Sequence, residues 1–312
     1  MMWTGKDLLR IAAVAALFAA LPAVLPRVGS SVPVGTEIMI WGIFATGYNI
    51  LLGGTGILSF GHAAFFGLSG YATGLLLLKA NLPLPAAIPA AVAMSLLAAF
   101  LIGALIIRKR GIYFAMLTIA FGQMFYFIAS QWNSVTGGQD GLTGFKRTGF
   151  LGVDIRPEAN FFYLVFAFFL LTLLVVRALM NSSIGRTLVA IRENIHRAEF
   201  LGIDVKKYQH FAFVVSATFS GLAGSLYVLL LNFAFPELLN WKTSGDAVLM
   251  SVIGGMRAFF GPLLGAGVFV FLRDMISTLT HHWALPLGAI FVTFVLFFQK
   301  GILGFFERGK ER

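Results

Sequence analysis

The sequence predicts an all-α, polytopic integral membrane protein. Of its 312 residues, 58% are hydrophobic and only 12% are charged, whereas soluble domains carry roughly 25% charged residues. Long stretches contain no charged residue at all. One of them, residues 38–78, is about twice as long as the roughly 20 residues that cross one bilayer core. A water-soluble fold could not bury this much apolar surface, so the chain is predicted to lie in a membrane.

The uncharged stretches predict a single membrane domain over residues 1–312 with roughly 8–10 transmembrane helices. They cover residues 11–26, 38–78, 82–107, 111–139, 159–176, 211–236 and 275–299. A re-entrant or broken helix is expected near residues 246–260, where the apolar pieces are too short to cross. Non-helical backbone at membrane depth persists only where protein or a water-filled cavity satisfies its polar groups. Such a break therefore indicates a transport pathway.

The basic residues are distributed as topology markers and not as a nucleic-acid-binding face. The chain has 23 basic and 13 acidic residues, and the basic ones lie mostly at the ends of apolar stretches. The positive-inside rule then places both termini and the segment 182–207 in the cytoplasm, and the segment 133–160 on the periplasmic side. The partner implied by composition is the lipid bilayer, and no nucleic acid is expected.

The sequence contains no catalytic or metal-binding pattern. It has no cysteine, which excludes disulfides and thiolate metal sites, and no predicted helix face carries His or carboxylate groups at metal-ligand spacing. The Gly-x-x-x-x-Gly-Lys-Ser/Thr pattern that binds ATP is missing, and the buried charges that ion-coupled carriers use are scarce. We therefore expect no cofactor on this chain and an energy source in another protein.

Small residues spaced by four predict close contacts between helices. Ala63 and Gly67 form one such pair, and Ser220 and Gly224 form another. Small side chains let helix backbones approach each other in a membrane. The glycines expected to pack in this way are Gly61, Gly67, Gly221 and Gly224.

The polar segment 182–207 predicts one amphipathic helix outside the membrane. Ser183 is expected to cap it, Gly202 to end it and Asp204 to cap the next helix. Its two faces differ, with an apolar stripe opposite Arg186, Glu193 and Arg197, and Glu193 precedes Arg197 by the four residues that favour an ion pair. The stripe consists of Ile184, Leu188, Ile191, Ile195 and Ala198. Charges of both signs favour docking to a protein, and a helix lying on lipid headgroups is the alternative.

Several motifs together resemble one known family, the LivM-like branch of the permeases of branched-chain amino-acid ABC importers. They are GYNILLGGTGILSFGHAAFFGLSGYATG from Gly47, GIYFAMLTIAFGQMFY from Gly111, TGGQDGLTG from Thr136, the segment 185–208, FAFVVSATFSGLAGSLY from Phe211, SGDAVLMSVIGG from Ser244 and FGPLLGA from Phe260. The resemblance runs in order from about residue 48 to 304. Arg257 departs from it, because small uncharged residues are expected there.

The resemblance implies a subunit of the bacterial inner membrane that forms a path for leucine, isoleucine and valine. The implied partners are a second homologous permease, two cytoplasmic ATPase subunits that use ATP, and a periplasmic binding protein. In the family the cytoplasmic loop is the coupling element and sits in a cleft of the ATPase. The residues expected to form it here are Arg186, Arg192, Glu193, Arg197, Ala198, Glu199 and Gly202.

Polar residues within apolar spans are the candidates for the translocation path, because they must face a partner or water. They are Asn49, Ser59, His62, Thr118 and Gln123. The alternative is that they form hydrogen bonds between helices. Three functional alternatives also stay open: a related importer for urea, short amides or other amino acids, a self-sufficient secondary carrier, and a membrane-embedded enzyme.

Overall fold

A computed structural model describes residues 5–24, 31–147, 149–280, 282, 284–297 and 301–303, and both chain ends lie outside this part. The α-helices are α1 (Gly5–Val24), α2 (Val32–Thr55), α3 (His62–Leu78), α4 (Leu84–Ile106), α5 (Ile112–Gln131), α6 (Asn133–Thr136), α7 (Glu158–Asn181), α8 (Ser183–Glu193), α9 (Ile195–Phe200), α10 (Val205–Leu231), α11 (Trp241–Gly254), α12 (Gly261–Leu279) and α13 (Ala284–Phe297). Strands Gly149–Phe150 and Val153–Asp154 form an antiparallel hairpin.

Six helices are long and apolar enough to cross a membrane, namely α2, α4, α5, α7, α10 and α12. The apolar helices α3 and α13 are shorter, so the described residues contain eight apolar helices of these two kinds. The all-α, polytopic fold expected from composition is therefore confirmed.

Helix α2 forms the centre of the bundle. Within its 18-residue apolar stretch 89% of the residues are buried, whereas the corresponding share is 22% in α5 and 33% in α4. Helices α7, α10, α11 and α12 pack against α2, and α3 contacts it through ring pairs such as Phe66 with Phe44. Met39, Ile40, Ile43 and Phe44 on α2 are fully buried. Helices α4 and α5 lie on the outside, where their large apolar side chains contact lipid in a membrane protein.

The chain leaves the helical conformation inside the bundle at the segment 56–61, between α2 and α3. Gly56 adopts a left-handed conformation at φ +74° and ends α2. Tyr48 Oη then donates to the Ser59 carbonyl over 2.9 Å and accepts from the Ser59 N–H over 3.2 Å. Tyr48 precedes the end of α2 by about two helical turns, or about 10 Å. The segment 56–61 therefore folds back into the bundle, and α3 starts at depth.

A second break, at residues 255–260, confirms part of the expected interruption near 246–260. The other part is corrected, because α11 runs unbroken to Gly254. Ala247, Met250 and Ile253 recur at helical spacing and are buried, which holds this stretch as a helix. A third non-helical stretch, residues 232–240, precedes α11 and contains only a 3-10 turn, Pro236–Leu239.

Candidate translocation and coupling sites

Three of the five polar residues predicted for the path lie together at the break between α2 and α3. His62 Nδ1 and Ser59 Oγ are 2.9 Å apart, and His62 Nε2 and Ser216 Oγ on α10 are 2.8 Å apart. Thr118 Oγ1 on α5 accepts from the Phe60 N–H over 3.1 Å and donates to the Ala115 carbonyl. We call Tyr48, Ser59, His62, Thr118 and Ser216 the break cluster.

The break cluster satisfies the polar groups of a non-helical segment within the protein. Ser59 and His62 are fully buried, and Thr118 is 1% exposed. The N–H of Ala63, in the first turn of α3, donates to Ser244 Oγ on α11 over 2.7 Å. These bonds hold the start of α3 between α2, α5, α10 and α11, as non-helical backbone at membrane depth requires.

The other two predicted path residues lie elsewhere. Asn49 donates from Nδ2 to the Met256 carbonyl over 3.0 Å, and its Oδ1 has no hydrogen-bond partner in the part of the chain that the structure describes. It therefore adjoins the second break, not the break cluster. Gln123 lies on α5, and its buried Nε2 has no hydrogen-bond partner among the described residues.

The predicted packing glycines lie where another element comes too close for a side chain. A Cβ atom at Gly61 would lie 2.7 Å from the Thr118 carbonyl oxygen, and one at Gly221 would lie 2.6 Å from Ser95 Oγ. A Cβ atom at Gly67 would overlap the Leu239 side chain, and one at Gly224 would overlap the Phe66 backbone.

Hydroxyl groups continue the contact between α3 and α10. Ser225 Oγ lies 2.7 Å from Ser69 Oγ and accepts from Thr73 Oγ1 over 2.9 Å. All three side chains are fully buried. Small side chains and hydrogen bonds between helices together hold such contacts in membranes, because lipid supplies no hydrophobic driving force.

A groove of about 650 Å³ runs between the break and α5. Ile57, Leu58 and Phe60 form one wall, and Met116 and Ile119 form the other. Lys109, Arg110 and Gln209 supply polar groups at its lining. The volume lies within the 300–1,000 Å³ of ordinary small-molecule sites. A small apolar solute fits this groove physically.

The segment predicted as one amphipathic helix consists of two, α8 and α9, and that prediction is corrected. The reason is Asn194, which is extended and accepts from the Arg197 N–H over 2.9 Å as the cap of α9. The cap of α8 is Ser182 and not Ser183, because Ser182 Oγ accepts from the Gly185 N–H. The cap at Asp204 is confirmed, with the Lys207 N–H as its donor.

Gly202 ends α9 as predicted, through a left-handed turn at φ +80°. The Ile203 N–H donates to the Ala198 carbonyl over 3.1 Å, which is the bond that defines a Schellman end. The two faces are also as predicted, because Leu188, Ile191 and Ala198 are buried.

The expected pair of Glu193 and Arg197 is not formed, because these residues belong to different helices. Glu193 Oε1 instead accepts from Arg192 Nη2 over 2.8 Å. The hydrogen bond from Arg192 and its positive charge lower the pKa of the Glu193 carboxyl, and the charge of Arg257 adds to this effect.

Two arginines attach α8 and α9 to the bundle. Arg192 Nη1 donates to the Gly53 carbonyl in the last turn of α2, where helix carbonyls lack an intrahelical partner. Arg110, in the turn between α4 and α5, pairs with Glu199 on α9 over 2.5 Å. The pair α8–α9 therefore contacts the end of α2, which leads into the segment 56–61, and the α4–α5 turn, whose Arg110 lines the groove.

Two large apolar side chains project from the tip of α9. Phe200 is 92% exposed and Leu201 is 75% exposed. Phe200 was absent from the predicted coupling residues. The sequence nevertheless indicates an exposed apolar tip, because Phe200 and Leu201 interrupt a polar segment immediately before Gly202, the glycine that ends the helix.

A charge cluster at the far end of α2 was also missed. Glu37 Oε1 accepts from Arg273 Nη2 over 2.5 Å, from Tyr227 Oη over 3.2 Å and from Trp41 Nε1 over 3.2 Å. These bonds tie α2 to α10 and α12. Glu37 directly precedes the longest uncharged stretch, so its position did not indicate burial. Nowhere in the described residues do three His, Asp or Glu side chains gather as a metal site would require.

Comparison with known proteins assigns the family. The family described as "Branched-chain amino acid transport system / permease component" matches residues 32–299. The high-affinity branched-chain amino acid transport system permease protein LivM of Escherichia coli (strain K12) is 28% identical over 96% of this chain and 76% of its own length.

Sugar permeases match shorter parts. The fructose import permease protein FruG of Bifidobacterium longum (strain NCC 2705) is 30% identical over 40% of this chain and 39% of its own. The ribose import permease protein RbsC of Haemophilus influenzae (strain ATCC 51907 / DSM 11121 / KW20 / Rd) is 30% identical over 32% of this chain and 33% of its own. No solved structure matches the chain at a significant level. The family match over residues 32–299 includes the break cluster, the groove and the α8–α9 pair. Because it covers most of the sequence, this chain belongs to the permease components of branched-chain amino acid transport systems.

Proposed function

We propose that this chain is the permease subunit of an ABC importer that carries leucine, isoleucine and valine across a bacterial inner membrane. The observation that carries the proposal is the apolar groove beside the break at residues 56–61. Branched aliphatic side chains match its apolar walls. Urea, short amides and sugars need several polar partners, whereas most of this lining is apolar and only Thr55, Lys109, Arg110 and Gln209 carry polar side chains.

The groove is open on one side, so a second surface must cover it to form a closed path. We propose that a homologous permease subunit provides this surface. Helix α5 is exposed along this side, with Met116 59% exposed. Gln123 lies four residues after Ile119 and seven after Met116, so it continues the same face of α5. Its Nε2 is buried and has no hydrogen-bond partner among the described residues, so it would meet the carboxylate of an amino acid only after α5 shifts during transport. We assign Ser59, His62 and Thr118 to holding the break that forms the groove wall.

The path assignment is tested by filling the groove. The variant Ile119→Trp should reduce leucine uptake by proteoliposomes that contain the complete importer, while Met94→Trp on the exposed face of α4 should leave uptake unchanged. Equal uptake by the two variants would contradict the groove as the path. Competition by isoleucine and valine, but not by urea, ribose or fructose, is expected for the proposed cargo.

We further propose that α8 and α9 receive the stroke of two separate ATPase subunits. This proposal is supported by the exposed Phe200 and Leu201 at the tip, which suit an apolar cleft, and by the bonds of Arg192 and Glu199 to the elements beside the groove. Arg186, Glu193 and Arg197 would then set orientation, a task that charges at an interface perform well.

The variant Phe200→Ala should insert and fold normally but lower both ATP-driven uptake and substrate-stimulated ATP hydrolysis. Leu279→Ala is the control, because Leu279 is an exposed apolar residue, 75% exposed like Leu201, but lies on α12, away from α9. It should leave uptake and ATP hydrolysis unchanged. Uptake at the wild-type rate by Phe200→Ala and by Leu201→Ala would remove α9 as the docking element.

The proposed topology places both termini and α8–α9 in the cytoplasm and residues 133–160 in the periplasm. A periplasmic binding protein would then deliver the amino acid at this second side. The chain has no cysteine, so introduced cysteines can be labelled without background. In intact spheroplasts an impermeant maleimide should label Arg156→Cys and spare His196→Cys, both of which replace well-exposed residues. Labelling of His196→Cys but not of Arg156→Cys would contradict this topology.

A further inference from the structure

A second pocket, separate from the groove, lies at the other end of α2. It is bounded by the first turns of α2 and α7, the last turn of α10 and Arg147, which precedes α7 in the chain, and its volume is about 170 Å³. Glu37 lines this pocket and Thr55 lines the groove. These two residues lie about 27 Å apart along the axis of α2, so the two sites are distinct. We call the second one the Glu37 pocket.

Glu37 has one carboxylate oxygen that the protein holds and one that it leaves open. Oε1 accepts hydrogen bonds from Arg273, Tyr227 and Trp41. Oε2 accepts none from the described residues, and the Glu37 side chain is 18% exposed. Because three donors cover Oε1, the exposed part of the carboxylate belongs to Oε2. A carboxylate fixed in this way can accept a charge-assisted hydrogen bond from an ammonium group.

Arg147 brings a guanidinium with unused donors to the same pocket. It lies over the Phe161 ring at 4.6 Å, and no described residue accepts a hydrogen bond from it. Nη1 is buried by the protein, which leaves Nε and Nη2 for a ligand. These two nitrogens form one edge of the guanidinium, and such an edge can donate two parallel hydrogen bonds to a carboxylate. The pocket therefore offers an acceptor for a cationic group and donors for an anionic one.

The charges around the pocket balance, which favours a ligand without net charge. Arg273 pairs with Glu37. Glu158 also lines the pocket, and its negative charge acts on Arg147. An uncompensated charge is costly away from bulk water, so a ligand that carries one positive and one negative group suits this pocket better than a lone ion does.

The rest of the lining and the size of the pocket restrict the ligand further. Val34, Phe161 and Leu230 supply apolar surface. The volume is smaller than the 300–1,000 Å³ of sites for drug-sized ligands. Together with the balanced charges, these features indicate a small zwitterion with an apolar side chain.

We propose that the Glu37 pocket binds a free α-amino acid with a small aliphatic side chain. The ammonium donates to Glu37 Oε2, the carboxylate accepts from Arg147 Nε and Nη2, and the side chain lies against Val34 and Leu230. The assignment rests on the proposed function in one respect, the topology that places this end of the bundle in the periplasm. The pocket then receives the amino acid before the groove does.

Equilibrium binding of tritiated leucine to the full-length chain in phosphatidylcholine nanodiscs tests this proposal. The assay needs neither ATPase subunits nor transport, so a failed uptake assay and a failed binding assay are separate results. Two leucine analogues serve as competitors, 4-methylpentanoate, which lacks the ammonium, and 3-methylbutylamine, which lacks the carboxylate. Unlabelled leucine should compete about tenfold better than either, the factor that matches one charge-assisted hydrogen bond.

Two variants assign the contacts. Arg147→Gln should weaken leucine binding about tenfold and remove the preference for leucine over 3-methylbutylamine. Glu37→Gln should remove the preference for leucine over 4-methylpentanoate. Glu37 also bonds to α10 and α12, so Arg147→Gln keeps the test decisive if Glu37→Gln folds poorly. Arg156→Gln, which removes an exposed arginine paired with Asp154, is the matched control and should bind as the wild type does.

Three results would overturn the proposal. The first is the absence of saturable leucine binding, or wild-type binding by Arg147→Gln. The second is binding that is lost in Ile119→Trp but kept in Arg147→Gln, which would place leucine in the groove. The third concerns phosphatidylethanolamine, whose headgroup also carries a primary ammonium beside an anion. Displacement of leucine by this lipid in the nanodiscs would show a headgroup site and overturn the assignment to a free amino acid.

Discussion

Adding one methyl group at Gly224 should destabilise the protein, although alanine favours helices more than glycine does. Gly224 lies in α10, and a Cβ atom there would overlap the Phe66 backbone of α3. Backbone cannot rotate away as a flexible side chain can, so the two helices must separate. The neighbouring bonds of Ser225 to Ser69 and Thr73 depend on the same close approach.

The magnitude follows from three terms. Overpacking costs about 1–3 kcal/mol, and each weakened hydrogen bond costs about 1 kcal/mol. The better helix propensity of alanine returns about 1 kcal/mol. With two such bonds weakened, Gly224→Ala should therefore lose about 2–4 kcal/mol of unfolding free energy.

Gly245→Ala is the matched control with the opposite sign. Gly245 lies inside α11, and a Cβ atom there meets nothing within 4 Å. Only the propensity term applies, so this variant should gain up to about 1 kcal/mol. Unfolding of the purified chain by increasing mole fraction of dodecyl sulfate, followed by circular dichroism, measures both. If Gly224→Ala proves as stable as Gly245→Ala, the close contact between α3 and α10 is not what restricts this position to glycine.

Three further predictions follow from the cited bonds. Ser225→Ala should lose about 1–2 kcal/mol in the same unfolding assay, because two buried hydroxyl contacts disappear; wild-type stability would contradict those contacts. Asn194→Ala should lower the stability of α9 by about 1 kcal/mol through loss of its cap, seen as faster amide exchange in that helix alone. The hydrogen bonds of Lys207, and after them its charge, lower the pKa of the Asp204 carboxyl. The stabilisation of α10 by Asp204 is therefore present above the unfolded pKa and is lost as pH falls through the folded pKa. The protection factors of amides in the first turn of α10, which are corrected for the intrinsic pH dependence of exchange, should therefore fall on acidification, and Asp204→Asn, which still caps, should abolish that fall.

Properties set by composition and local spacing were predictable. The apolar stretches indicated the spans, and the spacing of Leu188, Ile191 and Ala198 indicated the buried face of the polar segment. Gly202 and Asp204 end and start helices through their own backbone and side chain, so their roles did not depend on the rest of the fold. The packing glycines were predictable for a similar reason, since small residues at regular spacing mark a helix face that another helix approaches.

Contacts between distant segments decided the rest. His62 was visible as a polar residue in an apolar span, but only the packing of α10 brings Ser216 to its ring and makes it a structural support for the break. Glu37 and Arg273 are 236 positions apart, so no local pattern pairs them. The groove likewise combines side chains from α5, α9 and α10. Sequence was sufficient for the fold class and for the buried face of the polar segment, because both depend on short-range periodicity, but it did not predict the division of that segment into α8 and α9 at Asn194. The groove and the half-buried ion pair of Glu37 and Arg273 depend on which helix faces meet, and tertiary packing alone determines that.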